Sequence, residues 1–321
     1  MSDRPSSVKS KGHTSRWQRL RESAPPTWRR IRGSWRIFAQ NRLAVFGVVL
    51  IVVFAIMAIA HPVLMATVWR PARVYLPETG FDPDVIHPAL PSLRHILGTD
   101  VLGRDILSML LASTTSAFVV GLTAALSAAT VGLAIGVIAA YYRGRVEAIF
   151  MHLADALLLL PAPLFMVIVG AQFEINSIQF GLLYGLIAGA GSVAIVMRSY
   201  ALTLVSKSYI DAARVAGAGN WHIIFRHLIP QMLPLAAVHM MLAVTGAVVA
   251  DGFLTYTGLR QDRLNWGYMV NLSFEWAPIT GDKVQWNLVI PPAMSLSLFA
   301  AAFYLVSRGL HEVTDPRLRK T

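Results

Sequence analysis

Apolar positions along the chain gather into six long runs, at about 43–68, 110–142, 148–173, 178–205, 228–257 and 288–308, with polar segments between them. Each run can form a helix that crosses a hydrocarbon core of roughly 30 Å. The pattern predicts an all-α integral membrane protein with six transmembrane helices. Residues 70–109 read as a polar, proline-containing external loop carrying Asp82, Asp84, Asp100 and Asp105. Residues 110–311 read as a five-helix core, and 312–321 as a short tail. Ala58-Ile59-Ala60 has the small-residue form of a signal-peptidase site, but the basic region ahead of it is too long for a cleaved signal, so the first run reads as an uncleaved anchor.

Ahead of that anchor the pattern is different. Residues 1–27 show no apolar period and read as a disordered basic tail. From Trp28 onward, Trp28, Ile31, Trp35 and Phe38 recur at helical spacing among Arg29, Arg30, Arg32 and Arg36. That spacing predicts an amphipathic helix in the membrane interface, its basic face toward anionic lipid headgroups. Residues 28–69 are then this interfacial helix plus the first span.

Two of the runs carry stripes of small residues. Ala124, Ala128, Gly132, Gly136 and Ala140 repeat every four residues in the second run, and Gly181, Gly185 and Gly189 do so in the fourth. Such stripes let helix backbones approach closely in lipid, within one bundle or between subunits. Pro161 and Pro163 in the third run, and Pro230 and Pro234 in the fifth, predict kinks.

One polar, basic island between apolar runs, at 206–234, has more architecture than a connecting loop needs. Ser208 and Asp211 stand at capping-box spacing, which predicts a short helix starting at Ser208 and carried by Ala212, Ala213, Val215 and Ala216. Gly217 can end that helix in the left-handed conformation that glycine adopts at little cost. Asn220 is placed to cap a second helix through Trp221, Ile223, Ile224, Phe225 and Arg226, running into Pro230. A helix, a glycine turn and a second helix on a membrane surface, over about 208–227, describe a docking surface.

Charge then orients the chain. The net charge of +11 could suit nucleic acid, but the basic residues flank apolar runs, where orientation explains them. With both termini inside, 21 of the 28 Lys and Arg fall on the cytoplasmic side, and ten of the 17 Asp and Glu fall outside. Both termini and the island are therefore expected in the cytoplasm. The absence of cysteine excludes a disulfide framework, thiolate-held metal and thiol catalysis.

Catalytic chemistry is hard to find. There is no G-x-x-x-x-G-K-[ST] loop for a nucleotide, and the A-G-A-G at 216–219 precedes no Lys-Ser/Thr pair and follows a helix, not a strand. No serine sits in a G-x-S-x-G elbow, and no His, Asp and Glu cluster has metal-ligand spacing. Ionisable residues within spans are few. Asp155, in the third run, is expected to be structural, bonded to His152 or to nearby backbone. His239 and Asp251, in the fifth, are the candidates for a transport pathway. A self-sufficient secondary transporter usually needs a denser set of mid-membrane carboxylates or unwound helices, so this sparseness points to energy supplied from elsewhere.

The island resembles the coupling motif of permeases from binding-protein-dependent ABC importers, an E-A-A followed by glycine and ending in an L-P element. Here Asp211-Ala212-Ala213 is followed by Gly217 and then by Ile229-Pro230, with aspartate in place of glutamate and isoleucine in place of leucine. L-G-T-D-V-L-G-R-D-I-L at 97–107, D-G-F-L-T-Y-T-G-L at 251–259, N-W-G-Y-M at 265–269 and D-P-R-L-R at 315–319 are similar to further elements of the dipeptide/oligopeptide (peptide/nickel) branch. A basic leader and one span ahead of L-G-T-D resembles the C-type second permease of a heterodimeric pair. The resemblance implies a subunit without catalysis or a cofactor of its own. Two homologous permeases would form the pathway, two cytoplasmic ATPase subunits would bind ATP and Mg, and an external substrate-binding protein would deliver di- or oligopeptides in a bacterial inner membrane. It implies ATPase-coupling roles for Ser208, Asp211, Ala212, Ala213, Gly217, Asn220, Arg226 and Pro230. Nickel, opines, glutathione or another small solute fit the same architecture.

Overall fold

The computed structural model describes residues 35, 37–69, 72–259, 263–278, 281 and 284–314. The expected disordered tail, most of the expected interfacial helix and the D-P-R-L-R ending lie outside the described residues. Of the amphipathic pattern, Trp35 and Phe38 are described. Their rings stack at 5.6 Å, and Phe38 is buried beside Ala44 and Val306.

Among the described residues every regular element is helical, apart from one isolated bridge between Thr99 and Asp105. Helix α1 spans Arg42–Thr67, and after a 3-10 turn at Ala72–Tyr75 the chain continues as a loop to α2, Ile106–Tyr142. Two short helices follow, α3 (Gly144–Leu159) and α4 (Ala162–Gln172), then α5 (Ser177–Ala188), which passes through a π-helical segment, Gly189–Val193, into α6 (Ala194–Val205). The island contributes α7 (Ser208–Val215) and α8 (Asn220–Ile223). A second π segment, Ile224–Leu228, joins α8 to α9 (Ile229–Tyr256), and α10 (Trp266–Glu275) and α11 (Trp286–Thr314) complete the order.

Five of these stretches are long and apolar enough to cross a membrane, and the α3–α4 pair makes a sixth if it counts as one span bent by 81°. The bend falls where the prolines predict it. Pro161 is the N-cap of α4 and Pro163 sits in its first turn, where a missing N–H costs nothing. Pro230 and Pro234 act otherwise, because residues 220–256 run as a single 37-residue helix. A π turn, Ile224–Leu228, lies just before Pro230, the residue that cannot donate to the preceding turn. The second island helix is therefore the foot of the fifth span rather than a separate surface helix.

The small-residue stripes pack on each other inside the chain. A Cβ added at Gly181 or Gly185 would strike the backbone of α2 at Val120 or Ala124, and one at Gly189 would meet Ala128. From the other side, a Cβ at Gly132 would press on Val193, and one at Gly136 on Met197. The α2–α5–α6 contact is thus a backbone-to-backbone seam of one subunit. Nearer one end, an aromatic cluster of Phe54, Phe118, Trp266, Phe299 and Phe303 joins α1, α2, α10 and α11, with ring centroids 4.9–6.4 Å apart. Asn41 caps α1 by accepting from the Ala44 N–H, and its amide donates to Glu312 at 2.8 Å. The start of α1 and the end of α11 therefore meet at one end of the bundle, as an even number of crossings requires.

Candidate functional site

The island lies at that same end, on the feet of α2 and α9. Its phase is set by burial. Ile210, Ile223, Ile224 and Leu228 are buried in a core with Leu204, Val205 and Met232. With Ile210 turned inward, Lys207 takes the extended backbone of an N-cap and Ser208 becomes the first residue of α7. The expected capping box is therefore absent: no side chain caps α7, and Asp211 pairs instead with Arg214 at 3.2 Å on the exposed face.

Gly217 behaves as expected. Its φ is +83°, the Gly217 N–H donates to the Arg214 carbonyl, and the Ala218 N–H donates to the Ala213 carbonyl, each at 3.0 Å. These two bonds are a complete Schellman turn. Asn220 does not cap the second helix. Gly219 is that N-cap, and the Asn220 side chain accepts from the Tyr141 hydroxyl at 2.9 Å. Arg214 lies over the Tyr141 ring at 5.6 Å, and Tyr209 and Gln231 are hydrogen-bonded. So α7 is tied to α2 through Tyr141 and to α9 through Gln231. The motif spacing gives no sign of either anchor.

What remains outward is a mixed apolar and polar face. Val215 is 90% exposed, Trp221 60% and Phe225 62%, with the last two rings stacked at 5.8 Å. Asp211, Ala212, Gly217 and Arg226 are exposed beside them, Pro230 is exposed on α9, and Ala213 is half-buried. Aromatic and arginine side chains around an apolar centre are the composition of a protein-docking surface.

The opposite end is built from buried charge. His95 lies between two carboxylates, with Nδ1 2.8 Å from Asp105 and Nε2 3.1 Å from Asp82, and all three side chains are buried. The Arg94 guanidinium reaches Asp82 at 2.7 Å, and Asp105 caps α2 by accepting from the Ser108 N–H at 2.7 Å. Burial pushes the Asp82 carboxyl up, but the Asp84 N–H, His95 and Arg94 together outweigh it and hold it below the ordinary carboxylate range. For Asp105 burial prevails over His95 and the Ser108 N–H, and its carboxyl is raised. Arg104 and Asp100 form another buried ion pair, at 2.6 Å. Among the described residues no group of three or more His, Asp or Glu is arranged to hold a metal ion.

The three intramembrane candidates separate. Asp251 is buried, ion-paired with Arg263 at 2.8 Å, and accepts from Asn265 at 2.7 Å. Arg263 also donates to Ser177 and lies over the Phe180 ring at 5.5 Å, so the group clamps α9 to α5 and to the loop before α10. The expectation that Asp251 faces a pathway is corrected by these contacts: its carboxylate points into protein. His239 is half-buried on α9, and its side chain has no hydrogen bond among the described residues. Asp155 is exposed on α3, and the expected tie of its side chain to His152 or to backbone is not found among the described residues. Sequence reasoning singled out neither Arg263 nor His95. A buried acid near the end of a span needing a nearby base was the available signal for the first, and the second had none.

The comparisons with known proteins agree with this architecture. Residues 132–320 match the family described as binding-protein-dependent transport system inner membrane component. The chain belongs to that family, and it is a multi-pass permease component of the inner membrane. Residues 28–77 match the N-terminal TM domain of oligopeptide transport permease C. The chain is 31% identical, over 71% of its length and 76% of the relative's, to a putative peptide transport system permease protein of Brucella suis biovar 1. It is 29% identical to the dipeptide transport system permease protein DppC of Bacillus subtilis, over 89% of this chain and 86% of that one. It is 27% identical to the glutathione transport system permease protein GsiD of Pectobacterium atrosepticum, over 93% and 94%.

Proposed function

We propose that this chain is one of two homologous permease subunits of an ATP-driven importer, and that di- or oligopeptides delivered by an external binding protein cross between them. One observation carries the reading: a rigid, outward-facing helix, α7, stands on the feet of two spans in a chain without a nucleotide loop. In this reading α7 sits in a groove of a cytoplasmic ATPase subunit, and ATP with Mg is bound there and not on this chain. Closure of two such ATPases on ATP moves α7 as a unit. Tyr141 and Gln231 pass the displacement to α2 and α9, and the pathway shifts between inward-facing and outward-facing states. ATP drives the change because it binds one arrangement more tightly than the other.

Peptides as substrate are supported by the transport roles of the relatives, glutathione being itself a small peptide. Orientation with both termini cytoplasmic is supported by the distribution of Lys and Arg. The substrate reading is tested by ATP hydrolysis of the reconstituted complex in the presence of its binding protein. Stimulation by peptides and not by nickel or opines is expected, and stimulation by nickel alone would overturn it. Orientation is tested with Lys207→Cys in this cysteine-free chain, which should react with an impermeant maleimide only after the cells are opened.

A further inference from the structure

We propose that the loop between α1 and α2 dips into the lipid leaflet at the bundle end opposite the coupling helices, with Ile86, Leu90, Leu93 and Ile96 as its apolar anchors. All four are exposed, Ile86 and Leu93 almost completely. They are not exposed through looseness. The Ala89 and Thr99 backbones are hydrogen-bonded, the Thr99 hydroxyl accepts from the Ala89 N–H, and Ser92 and His95 exchange two bonds. Tyr75 donates to the Arg94 carbonyl beneath. A rigid frame therefore holds four aliphatic side chains outward, and soluble surfaces rarely concentrate such residues without a use for them.

Position supplies the occupant. Asn287, in the first turn of α11, donates to the Leu97 carbonyl at 2.9 Å. A groove of about 390 Å³ lies between the two segments, lined by Pro88, Leu90, Pro91, Val284 and Trp286. Trp286 is exposed at the end of a membrane-spanning helix, the level at which tryptophan marks the headgroup region. Below it the exposed face of α11 continues through Ile290, Met294 and Leu298, each four residues on. Leu90 thus borders an apolar face that already belongs to a membrane-spanning helix, and Ile86, Leu93 and Ile96 are exposed on the same loop. Arg94, the neighbour of Leu93, is paired with Asp82 and Asp84, which lowers the cost of bringing its charge toward lipid.

The chemistry of the patch also favours lipid over a soluble partner. Its members are aliphatic, whereas protein docking sites concentrate Trp, Tyr and Arg. A partner that comes and goes would leave them in water for part of every cycle, whereas a leaflet is always present. The inference does not depend on which solute is transported.

The test uses Leu90→Cys and Leu93→Cys, with Glu78→Cys as an exposed polar control, each labelled with an environment-sensitive fluorophore in the complete reconstituted complex. Ile86→Cys and Ile96→Cys give independent readings should either leucine variant fail to assemble. The expected result is blue-shifted emission, quenching by lipids carrying a nitroxide near the headgroup, and protection from aqueous iodide, all without binding protein. The Glu78 control should show the reverse. Iodide quenching equal to the control would overturn the proposal. So would protection from iodide and nitroxide together, which means another permease chain covers the patch. Protection that appears only when binding protein is added would also overturn it, assigning the face to docking.

Discussion

The two ends of the bundle use charge in opposite ways. At the end that carries α7, the ion pair Asp211–Arg214 is exposed, and α7 is held by Ile210 in the core and by two tyrosine contacts at its edges. At the other end His95, Asp82, Asp105, Arg104, Asp100, Arg263 and Asp251 are buried and paired. An exposed pair contributes little because water screens it. A buried pair is strongly destabilising when one partner is removed. The first end leaves an exposed mixed face, the one proposed to dock, and the second holds its own helices in register.

That contrast can be broken most forcefully at the buried end. Arg263→Met strips Asp251 of its buried cation and should destabilise the protein by about 3–5 kcal/mol. The thermal midpoint in detergent should fall clearly while α7 and its docking face are untouched. An unchanged midpoint would remove the clamp from the account.

Next is Gly217. A Cβ there meets nothing within 4 Å, so the cost of Gly217→Val is backbone strain at φ +83°, about 1–2 kcal/mol or more for a β-branched residue. The variant should remain in the membrane but lose uptake and co-purify poorly with the ATPases. Gly219→Ala is the matched control. It also has open space, but φ is −68°, and it should retain uptake.

A smaller effect is expected from pH on the loop between α1 and α2. The Asp82 carboxyl is held below its ordinary value, so its charged form stabilises the fold above about 3.8 and that contribution is lost as pH falls through the lowered value. Asp105, raised by burial, works in the opposite sense: its contribution is present in acid and fades as pH rises through the raised value. Hydrogen exchange of residues 82–105, corrected for intrinsic rates, should rise on acidification below the ordinary carboxylate range. Asp82→Asn should show the faster exchange already at neutral pH.

The smallest change in stability belongs to Asp211→Lys. Breaking an exposed pair three residues apart should shift stability by no more than about 0.5 kcal/mol. Yet the reversed charge should weaken ATPase association on co-purification. A large loss of stability with normal association would invert the contrast between the ends.

Much of this was legible in the residues in order. Six apolar runs, the bend at Pro161, the glycine turn at 217 and the island's docking character follow from local rules: hydrophobic length, the φ that proline imposes and the φ that glycine permits. Local rules misjudged the caps. Ser208 and Asn220 have capping chemistry, but each falls one residue inside its helix, and the Asn220 side chain bonds to Tyr141 instead. The same limit applies to the π turn just before Pro230, which no composition announces.

The sequence alone determined that the chain crosses a membrane several times, with a polar island of helix and glycine turn standing between two apolar runs. Only the tertiary structure decided what the isolated polar residues do. It turned Asp251 from a candidate for the pathway into half of a clamp, closed the glycine stripes of 124–140 and 181–189 on each other, and set His95 between two acids. The physical reason is range. Turns and spans are fixed by residues within one helical turn or by total hydrophobic length. The partner of a buried charge is chosen by packing between segments far apart in the chain.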